Sequence, residues 1–428
     1  MSKLKENIVL IEAKSTGANY IRDIRELGYN PVCVELYYDD EELRKILRRI
    51  HDEHYALIDE EPPDIVFADK SYEKTLEMVK KLNPVVIIPA SDEGIDWATR
   101  LAHDLGLPGN DPENLKKMTD KQYMHEALKD SNLRYIRSKP VYSFEEAKEF
   151  MSQLDGSKVV VKPSVGGATV GVCVCENDDE LRDALELNWK YSSKNDFETL
   201  VQEYIDGKEY SLETLCCNGF YKAIGGFYFE KIQIPGKGPV YDYSISLDDT
   251  SPIFAEIEEY NYKVVSALGI KYGILHVEYK IDEKGPVLIE INCRVIGPLH
   301  NIYGMDCAWK HHLTDASLLS YLNPDEAIKK YNKPYKTYSS YATKYIILSE
   351  EIYVIKSKVK DAFEDLDSFI CGIPFQDDTV YPKTVDLSTC GGLIYLVNED
   401  KTKLFEDIET ISKTEKFEVE KIFDIKED

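Results

Sequence analysis

The chain has 428 residues, and its 52 Lys and Arg against 78 Asp and Glu give a formal net charge of −26 at pH 7. This acidic balance argues against a general nucleic-acid binder, which needs a broad basic surface, and against docking on anionic lipid. The composition is that of a folded globular protein, and no apolar run approaches the roughly 20 residues of a membrane span. An anionic ligand must therefore be held by a few local cations, helix N-termini or a bound metal ion.

Nine cysteines are scattered along the chain, and no two of them form a Cys-x-x-Cys pair. No Cys/His cluster has zinc-ligand spacing, so reduced thiols are favoured over a disulfide scaffold or a zinc site. The N-terminal sequence contains a short apolar strand but no signal-peptide core. We therefore expect a cytoplasmic protein.

Strands and helices alternate in the first part of the chain. Strands are predicted at 8–13, 31–36, 64–69 and 84–90, with a glycine turn at 15–18 before the first helix and another helix at 71–82. This alternation predicts a Rossmann-like α/β layer with a parallel sheet over residues 1–115. Because the first turn lacks Gly-x-Gly-x-x-Gly, a structural layer that forms one wall of a cleft is favoured over a dinucleotide site.

A segment rich in Gly, Pro and Asn at 106–118 marks the end of this layer. Beyond it, strands are predicted at 159–163, 171–176, 199–205 and 211–217, with helices among them. They indicate an antiparallel α+β domain over 119–315. A second α+β block is predicted over 316–428, with strands at 341–349, 351–357 and 391–398 and helices near 357–365 and 401–412.

The segment HVEYKIDEKGPVLIEINCR (276–294) has the pattern of two strands joined by a turn. Because alternate residues of a strand face the same side, Glu290, Asn292 and Arg294 project together. Glu278 lies on the partner strand, and a hairpin centred on the turn puts it near Glu290. Two carboxylates and an amide oxygen suit a hard cation such as Mg²⁺ beside a polyphosphate. A solvated hairpin face is the alternative, but the apolar neighbours indicate a strand inside a domain, where such groups need partners or a metal.

The segment VVVKPSVGGATVGV (159–172) combines an apolar strand with a Gly-rich loop. Glycines allow backbone N–H groups to approach phosphate oxygens, and a lysine at the strand end adds a positive charge. The residues concerned are Lys162, Gly166, Gly167, Thr169 and Gly171. It is not a Walker loop, and a plain glycine-rich connection is an equally good interpretation of this segment alone.

The segment VQEYIDGKEYSLE (201–213) is a third candidate. Its strand end offers side-chain and backbone groups at Gln202, Glu203 and Ile205 that are able to contact a base, and Glu209 is able to accept hydrogen bonds from ribose. Acidic residues near a turn are more often simply solvated, so this signal is weak. Lys231 and Lys237 follow in a Gly- and Pro-rich region, where surface lysines are the expected outcome.

The order of these motifs resembles the ATP-grasp superfamily. Lys121 in TDKQYM precedes Lys162 and its loop, then QEYIDGKE, and finally Glu-(x)n-Glu-x-Asn-x-Arg, within a resemblance that covers about residues 1–320. The resemblance implies a pre-ATP-grasp layer at 1–115, a two-lobed ATP-grasp domain at 119–315 and a C-terminal α+β domain at 316–428. It also implies ATP and Mg²⁺, or Mn²⁺, as cofactors.

The same resemblance implies a role for each matching residue. Phosphate contacts fall to Lys121 and Lys162 with the loop residues Gly166, Gly167, Thr169 and Gly171, adenine contacts to Gln202, Glu203 and Ile205, ribose to Glu209, and metal ligation to Glu278, Glu290 and Asn292. Arg294 is implied to steady an acyl phosphate and the tetrahedral intermediate. Many members have Pro where this chain has Cys293, whose side chain is expected to point away from the site.

Within the superfamily the chain most resembles the L-amino-acid ligases, through segments 267–279 and 238–246 and the C-terminal block. This implies a carboxylate–amine ligase that makes a dipeptide or amino-acid conjugate through an acyl phosphate and releases ADP and phosphate. Gly297, Pro298 and Leu299 are implied to line the substrate pocket beside Arg294. His276 is a further candidate substrate contact, although a packed strand histidine is the commoner case.

Three other functions are considered. A purine-pathway ligase would keep the ATP site and change the acceptor block. A carboxylase related to biotin carboxylase is disfavoured, because the chain has no Met-Lys-Met biotin-acceptor sequence. A nucleotide-binding regulatory protein would have no need for Arg294. The expected partners are small-molecule carboxylates and amines, with a homodimer suggested by the resemblance alone.

Overall fold

The computed structural model describes residues 5–41, 44–45, 47–49, 51, 55, 61–154, 158–166, 171–195, 198–233, 238–297, 302–374 and 377–426. Four parallel strands form the N-terminal sheet in the order β3-β2-β1-β4. They are β1 (Asn7–Ile11), β2 (Asn30–Glu35), β3 (Asp64–Phe67) and β4 (Pro84–Pro89). The predicted Rossmann-like layer is thus present, with strand positions close to those expected.

Helices pack on this sheet because its central strands are apolar throughout and need cover on both faces. They are α1 (Tyr20–Glu26), α2 (Tyr72–Lys81) and α3 (Gly94–Asp104). The Ser71 side chain accepts a hydrogen bond from the Lys74 backbone N–H and so caps the start of α2. Two shorter helices, α4 (Leu115–Thr119) and α5 (Lys121–Asp130), then lead out of the layer.

A small antiparallel sheet forms the next layer, in the order β5-β8-β6-β7. Its strands are β5 (Ser138–Pro140), β6 (Val159–Pro163), β7 (Cys173–Cys175) and β8 (Thr199–Glu203), covered by α6 (Phe144–Ser152) and α7 (Asp178–Asn195). The strand predicted at 171–176 is shorter in the structure, and the other predicted strands of this region lie where expected.

An eight-stranded sheet forms the centre of the molecule, and its first five strands come from the middle of the chain. They are β9 (Lys208–Cys217), β10 (Phe220–Gln233), β11 (Pro239–Ser246), β12 (Tyr272–Asp282) and β13 (Gly285–Asn292), in the spatial order β13-β12-β9-β10-β11. Helix α8 (Pro252–Leu268) packs against them and ends at Gly269, whose φ of 73° is the left-handed conformation that glycine adopts readily.

The C-terminal block differs from the separate α+β unit that the sequence suggests. Strands β14 (Ser340–Tyr345), β16 (Phe369–Pro374) and β18 (Gly392–Asn398) extend the central sheet in the order β11-β14-β18-β16. The remaining strands, β15 (Ile352–Ser357), β17 (Thr379–Tyr381) and β19 (Phe423–Ile425), form a small sheet of their own. The central sheet therefore crosses the predicted boundary at 315/316, and the domain limits stay a prediction.

Six helices accompany this C-terminal part of the chain. They are α9 (Ile302–Trp309), α10 (Leu313–Leu322), α11 (Pro324–Tyr331), α12 (Val359–Phe363), α13 (Lys401–Phe417) and α14 (Val419–Ile422). One core cluster joins side chains of the N-terminal sheet, the central sheet and the C-terminal strands, among them Leu10, Leu215 and Tyr395. Among the described residues no helix has the length and apolar character that crossing a bilayer requires.

A buried ion cluster fastens α13 to the central sheet and gives a stability prediction. The Lys344 side chain is fully buried, and its Nζ lies 2.7 Å from Glu415 Oε1 and 2.8 Å from Asp242 Oδ1. Lys344→Ala leaves two carboxylates without their cation, so we expect it to lower the free energy of unfolding by about 3–5 kcal/mol in urea titration. Lys413→Ala, which removes an exposed lysine from the same helix, is the control and should cost under about 1 kcal/mol. Equal losses in the two variants would contradict this role.

Candidate active site

A cavity of about 420 Å³ lies between the small antiparallel sheet and the central sheet. Its walls are formed by β6 and β8 on one side and by β10, β12 and β13 on the other. Cavities that hold nucleotides and other small molecules have roughly 300–1,000 Å³. The cavity brings together all three of the separate sequence motifs, which the chain order alone spreads over 170 positions from Lys121 to Glu290.

Two lysines occupy the end of the cavity next to the hairpin of β12 and β13. Lys162 is delivered by β6 and is buried. Lys121, at the start of α5, donates from Nζ to the carbonyl oxygen of Gly166 at 2.6 Å and lies 2.7 Å from Glu290 Oε2. In this acidic protein the two lysines would offset the negative charge of a bound phosphate chain.

The pKa values of Lys162 and Glu290 are both lowered, but for different reasons. Burial, reinforced by the nearby Lys121 charge, lowers the pKa of Lys162 to about 7. Burial also disfavours the charged form of Glu290, but the ammonium groups of Lys121 and Lys162 outweigh it and lower the pKa of that carboxyl to about 2. Glu290 is therefore ionised at neutral pH.

The glycine-rich loop is described only in part. Gly166 lines the cavity next to Lys162, and Gly171 has a φ of 73° where the chain enters β7. Gly167 and Thr169 lie outside the described residues. The available geometry places the start of the predicted phosphate loop beside both lysines.

The hairpin carries the predicted oxygen ligands, and a β-bulge between Glu278 and Tyr279 sets their register. Glu278 pairs with Glu290 across β12 and β13, and the Asn292 amide Nδ2 donates to Glu290 Oε1 at 3.4 Å. The opposite face of the hairpin is apolar and packs in the core through Val277 and Ile291. A divalent cation beside phosphate would thus meet two carboxylates and an amide oxygen.

This donor set fits Mg²⁺ or Mn²⁺ bound together with a nucleotide. Within the part of the chain that the structure describes, no group of three or more His, Cys, Asp or Glu side chains has an arrangement that would hold a metal ion. Mg²⁺ usually takes one or two protein carboxylates and completes its coordination with water and substrate phosphate. The Lys121 ammonium beside Glu290 shows that this carboxylate already accommodates a cation.

His276 lies behind the hairpin carboxylates rather than in the cavity lining. Its ring is buried, with Nδ1 2.7 Å from Glu213 Oε1 and Nε2 3.1 Å from Glu278 Oε1. Burial opposes protonation, but the two carboxylates outweigh it and raise the pKa of His276 to about 10. This position suits a residue that orients Glu278, in place of the predicted substrate contact.

Glu213 is not identified as a site residue by the sequence analysis. It lies on β9, is fully buried and pairs with His276. The only signal in the sequence is a carboxylate within the apolar run SLETLCC, which indicates a buried charge with a specific partner.

The end of β8 and the residues that follow it form the far end of the cavity. Gln202, Glu203 and Ile205 all line it, as the base-binding interpretation requires. Gln202 is buried, and its Nε2 has no hydrogen-bond partner among the described residues, which leaves a donor for a ligand. The Glu203 carboxylate is held by Arg137 Nε at 3.2 Å, and the Glu203 backbone N–H donates to the Arg137 carbonyl oxygen at 2.9 Å.

Two lysines that the sequence analysis did not assign to the site also line this cavity. Lys231 forms an ion pair with Glu209 and lies 4.0 Å from the centre of the Tyr241 ring, so the expectation of a surface lysine is wrong. Lys280 donates to the Ile205 carbonyl oxygen at 3.0 Å. Lys237 lies outside the described residues. The predicted ribose contact Glu209 is thus buried and already faces a cation.

Arg294 follows the hairpin and reaches the N-terminal layer. Its Nη2 donates to Asp92 Oδ2 at 2.6 Å, where Asp92 follows the carboxyl end of β4. Burial works against its charge, but Asp92, Glu278 and Glu290 outweigh it and raise the pKa of Arg294. Arg294 therefore links the hairpin that carries Glu290 to Asp92 of the N-terminal layer.

The neighbours of Arg294 agree with the local expectations. Cys293 is buried in the core on the far side of the chain. Gly297 is adjacent to the guanidinium, since a Cβ built on it would lie 3.9 Å from Arg294 Cζ and 3.6 Å from Ser15 Oγ. Pro298 and Leu299 lie outside the described residues.

A neutral histidine next to the phosphate end gives a pH prediction. Burial, together with the Lys162 and Lys121 charges, lowers the pKa of His125 to about 3. Between pH 6.5 and pH 3 the unfolded chain binds a proton at this histidine that the folded chain does not, so acid favours unfolding. We expect stability to fall by up to about 1.4 kcal/mol per pH unit below pH 6.5 from this group.

The measurement is the free energy of unfolding in urea at pH 7 and pH 5 for the wild type and for His125→Gln. The variant should lose less stability on acidification than the wild type. His103→Gln, which changes an exposed histidine on α3, should behave as the wild type does. A wild-type slope in His125→Gln would contradict the neutral buried histidine.

Known proteins match this chain in both sequence and fold. Residues 156–301 match the family described as ATP-grasp domain. Dapdiamide A synthase of Enterobacter agglomerans is 24% identical over 420 residues, which is 96% of this chain and 96% of that protein.

Two solved structures have a similar fold. The L-amino acid ligase from Bacillus licheniformis superposes with a TM-score of 0.74 at 15% identity, covering 96% of this chain and 98% of that one. The biotin carboxylase domain of Hydrogenobacter thermophilus 2-oxoglutarate carboxylase, solved with MgADP, ADP and bicarbonate, gives a TM-score of 0.66 at 17% identity and covers 99% of this chain and 91% of that one. Residues 156–301 therefore match an ATP-grasp domain, and the fold of nearly the whole chain is similar to that of the L-amino acid ligase.

Proposed function

We propose that this protein is an ATP-dependent carboxylate–amine ligase that joins amino acids, or an amino acid and another amine, through an acyl phosphate. The observation that carries the proposal is the position of Arg294. It stands next to Glu278 and Glu290, beyond the nucleotide cavity, and faces the N-terminal layer. A protein that only binds nucleotide has no need for a cation there, whereas an enzyme with a second, anionic substrate does.

In the first step a carboxylate oxygen attacks the γ-phosphorus of ATP. The bond between that phosphorus and the β,γ-bridging oxygen breaks, and ADP leaves with the electron pair. Lys162 and Lys121 lie where they would balance the charge of the phosphates, and the Gln202–Ile205 strand end would hold the adenine. Mg²⁺, held by Glu278, Glu290 and Asn292, would neutralise charge on the transferring group.

In the second step an amine nitrogen attacks the carbonyl carbon of the acyl phosphate. The carbon–oxygen bond to phosphate then breaks, inorganic phosphate leaves, and the amine proton passes to water or to the departing phosphate. Arg294 would stabilise the negative oxygen of the tetrahedral intermediate and the phosphate that leaves. The protein therefore acts by positioning and charge, without a covalent nucleophile.

The relatives support amino acids as substrates. Two of the full-length matches carry the names L-amino acid ligase and dapdiamide A synthase, and both cover nearly all of this chain. The eight-stranded sheet and the C-terminal strands are part of the superposed length, so the similarity extends beyond the ATP-binding core. A homodimer and a cytoplasmic location, where ATP and Mg²⁺ are supplied, are part of this proposal.

The test is phosphate release from ATP and Mg²⁺ in the presence of pooled pairs of amino acids. The proposal expects phosphate release that depends on the pool, together with a product whose mass is the sum of two substrates minus water. Phosphate release with bicarbonate alone would instead favour a carboxylase, as in the biotin carboxylase domain described above. Tight binding of Mg·ATP without turnover under any pool would favour a regulatory protein.

A further inference from the structure

The carboxyl edge of the N-terminal sheet presents an acidic group to the proposed reaction site. Asp92 follows β4, and its Oδ2 accepts a hydrogen bond from Arg294 Nη2 at 2.6 Å, although the two residues are 202 positions apart in the chain. The Arg294 side chain is 14% exposed and that of Asp92 is 47% exposed. The guanidinium is therefore enclosed, whereas the carboxylate keeps an accessible side.

The other charged groups of this edge are already paired with one another. Lys14 Nζ lies 3.0 Å from Glu93 Oε1 and 3.5 Å from Glu12 Oε2. His51 Nε2 also lies 3.4 Å from Glu12 Oε2, so Lys14 and His51 are the cations beside these two acids. Asp92 instead takes its cation from the hairpin side. A ligand that binds Arg294 therefore changes the charge balance of Asp92.

Small polar residues surround the contact between Asp92 and Arg294. A Cβ at Gly297 would lie within 4 Å of both the Arg294 guanidinium and Ser15 Oγ, so a larger side chain would enter this space. The absence of a side chain at Gly297 thus leaves space beside the Arg294 guanidinium.

A substrate carboxylate that binds Arg294 competes directly with Asp92 for the guanidinium. A simple carboxylic acid would displace Asp92 and leave its charge without a partner next to a second anion. An α-amino acid would instead exchange partners, since its carboxylate binds Arg294 and its ammonium binds Asp92. The 2.6 Å contact places the two recognition groups side by side, and in an α-amino acid the ammonium and the carboxylate are both attached to Cα.

We propose that Asp92 binds the α-ammonium group of the amino acid whose carboxylate is activated. The inference rests on the proposed ligase function and deepens it by assigning the residue that recognises this substrate. Asp92 is thereby a substrate-specificity residue supplied by the N-terminal layer.

The experiment traps the acyl phosphate with hydroxylamine, which converts it to a hydroxamate without any amine substrate. The wild type and Asp92→Asn are assayed with ATP, Mg²⁺ and pools of α-amino acids, and in parallel with the matching acids that carry hydrogen in place of the amino group. We expect the wild type to prefer the amino acids. Asp92→Asn should lower kcat/KM for amino acids about 10–100-fold, mainly through KM, and leave the deamino acids within about 3-fold.

Asp96→Asn is the matched control, because Asp96 is a half-exposed acid on the following helix that pairs with Arg100 at 3.2 Å. It should retain wild-type selectivity, and Asp92→Glu should restore part of the preference lost in Asp92→Asn. Equal losses for amino and deamino acids in Asp92→Asn would overturn the inference, since Asp92 would then act only through Arg294. A wild type that activates deamino acids as well as amino acids would overturn it too.

Failure of the proposed function gives a different result. If the wild type forms no hydroxamate with any carboxylate, both the ligase proposal and the inference that rests on it are overturned. If hydroxamates form but selectivity is unchanged in Asp92→Asn, only the inference is overturned. Binding of Mg·ATP, measured by fluorescence titration in each variant, verifies that the nucleotide site is intact.

Discussion

Glu290→Gln and Glu290→Ala are expected to reduce phosphate release by about 10³-fold or more. Glu290 is the carboxylate in which three features of the cavity meet: it pairs with Glu278 across the hairpin, contacts Lys121 at 2.7 Å and is the proposed metal ligand nearest both lysines. Its replacement removes a ligand for Mg²⁺ and leaves Lys121 and Lys162 facing each other with less negative charge between them. Both effects act on the phosphoryl transfer itself.

The measurement is initial-rate phosphate release at saturating ATP, with Mn²⁺ binding followed by electron paramagnetic resonance as an independent readout. Glu258→Gln is the control, because Glu258 is a partly buried acid paired with Lys222 at 2.7 Å and does not line the cavity. Near-wild-type turnover in Glu290→Gln would remove Glu290 from the metal site.

Arg294→Met is expected to lower the rate of amide formation by about 10²–10³-fold while changing the affinity for ATP by less than about 3-fold. The reason is its location: the guanidinium contacts Asp92 and does not line the nucleotide cavity. A residue that stabilises the acyl phosphate and the tetrahedral intermediate should affect kcat far more than nucleotide binding.

Single-turnover rates and ATP titration separate the two effects. Arg100→Met changes a half-exposed arginine in the N-terminal layer and should leave both quantities unchanged. A loss of ATP affinity equal to the loss of rate would assign Arg294 to nucleotide binding instead.

The hairpin of β12 and β13 shows what sequence patterning is able to predict. Strand alternation has a period of two, so Glu290 and Asn292 share a face and Glu278 lies near them on the partner strand. The direct pairing of Glu278 with Glu290 depends on a β-bulge between Glu278 and Tyr279, which the pattern does not predict. The same reasoning places Lys162 at the end of an apolar strand. These features are local, and the order of the motifs along the chain connects them to one family.

Features that depend on distant pairing were beyond this reasoning. The strand β14 pairs with β11, so the C-terminal block completes the central sheet rather than forming a separate unit. Asp92 enters the site because the N-terminal layer meets the hairpin, whereas Lys231 and Glu213 enter it through the pairing of strands in the central sheet. A lysine or acid in a short motif carries no sign of a partner tens or hundreds of residues away.

These contacts across layers give the N-terminal sheet a role beyond support. Because the first turn lacks Gly-x-Gly-x-x-Gly, the sequence favours a layer that forms one wall of a cleft. The contact of Asp92 with Arg294 identifies the part of that wall that lies beside the proposed reaction site. Ligands of open parallel sheets bind at the carboxyl ends of the strands, and Asp92 follows such an end.

Transfer of ¹⁸O from substrate to phosphate tests the acyl-phosphate mechanism most directly. Pooled amino acids labelled with ¹⁸O in their carboxyl groups are incubated with the protein, ATP and Mg²⁺, and the released phosphate is analysed by mass spectrometry. Activation through an acyl phosphate predicts ADP as the nucleotide product and one ¹⁸O atom in each phosphate. Unlabelled phosphate, or AMP with pyrophosphate, would contradict it.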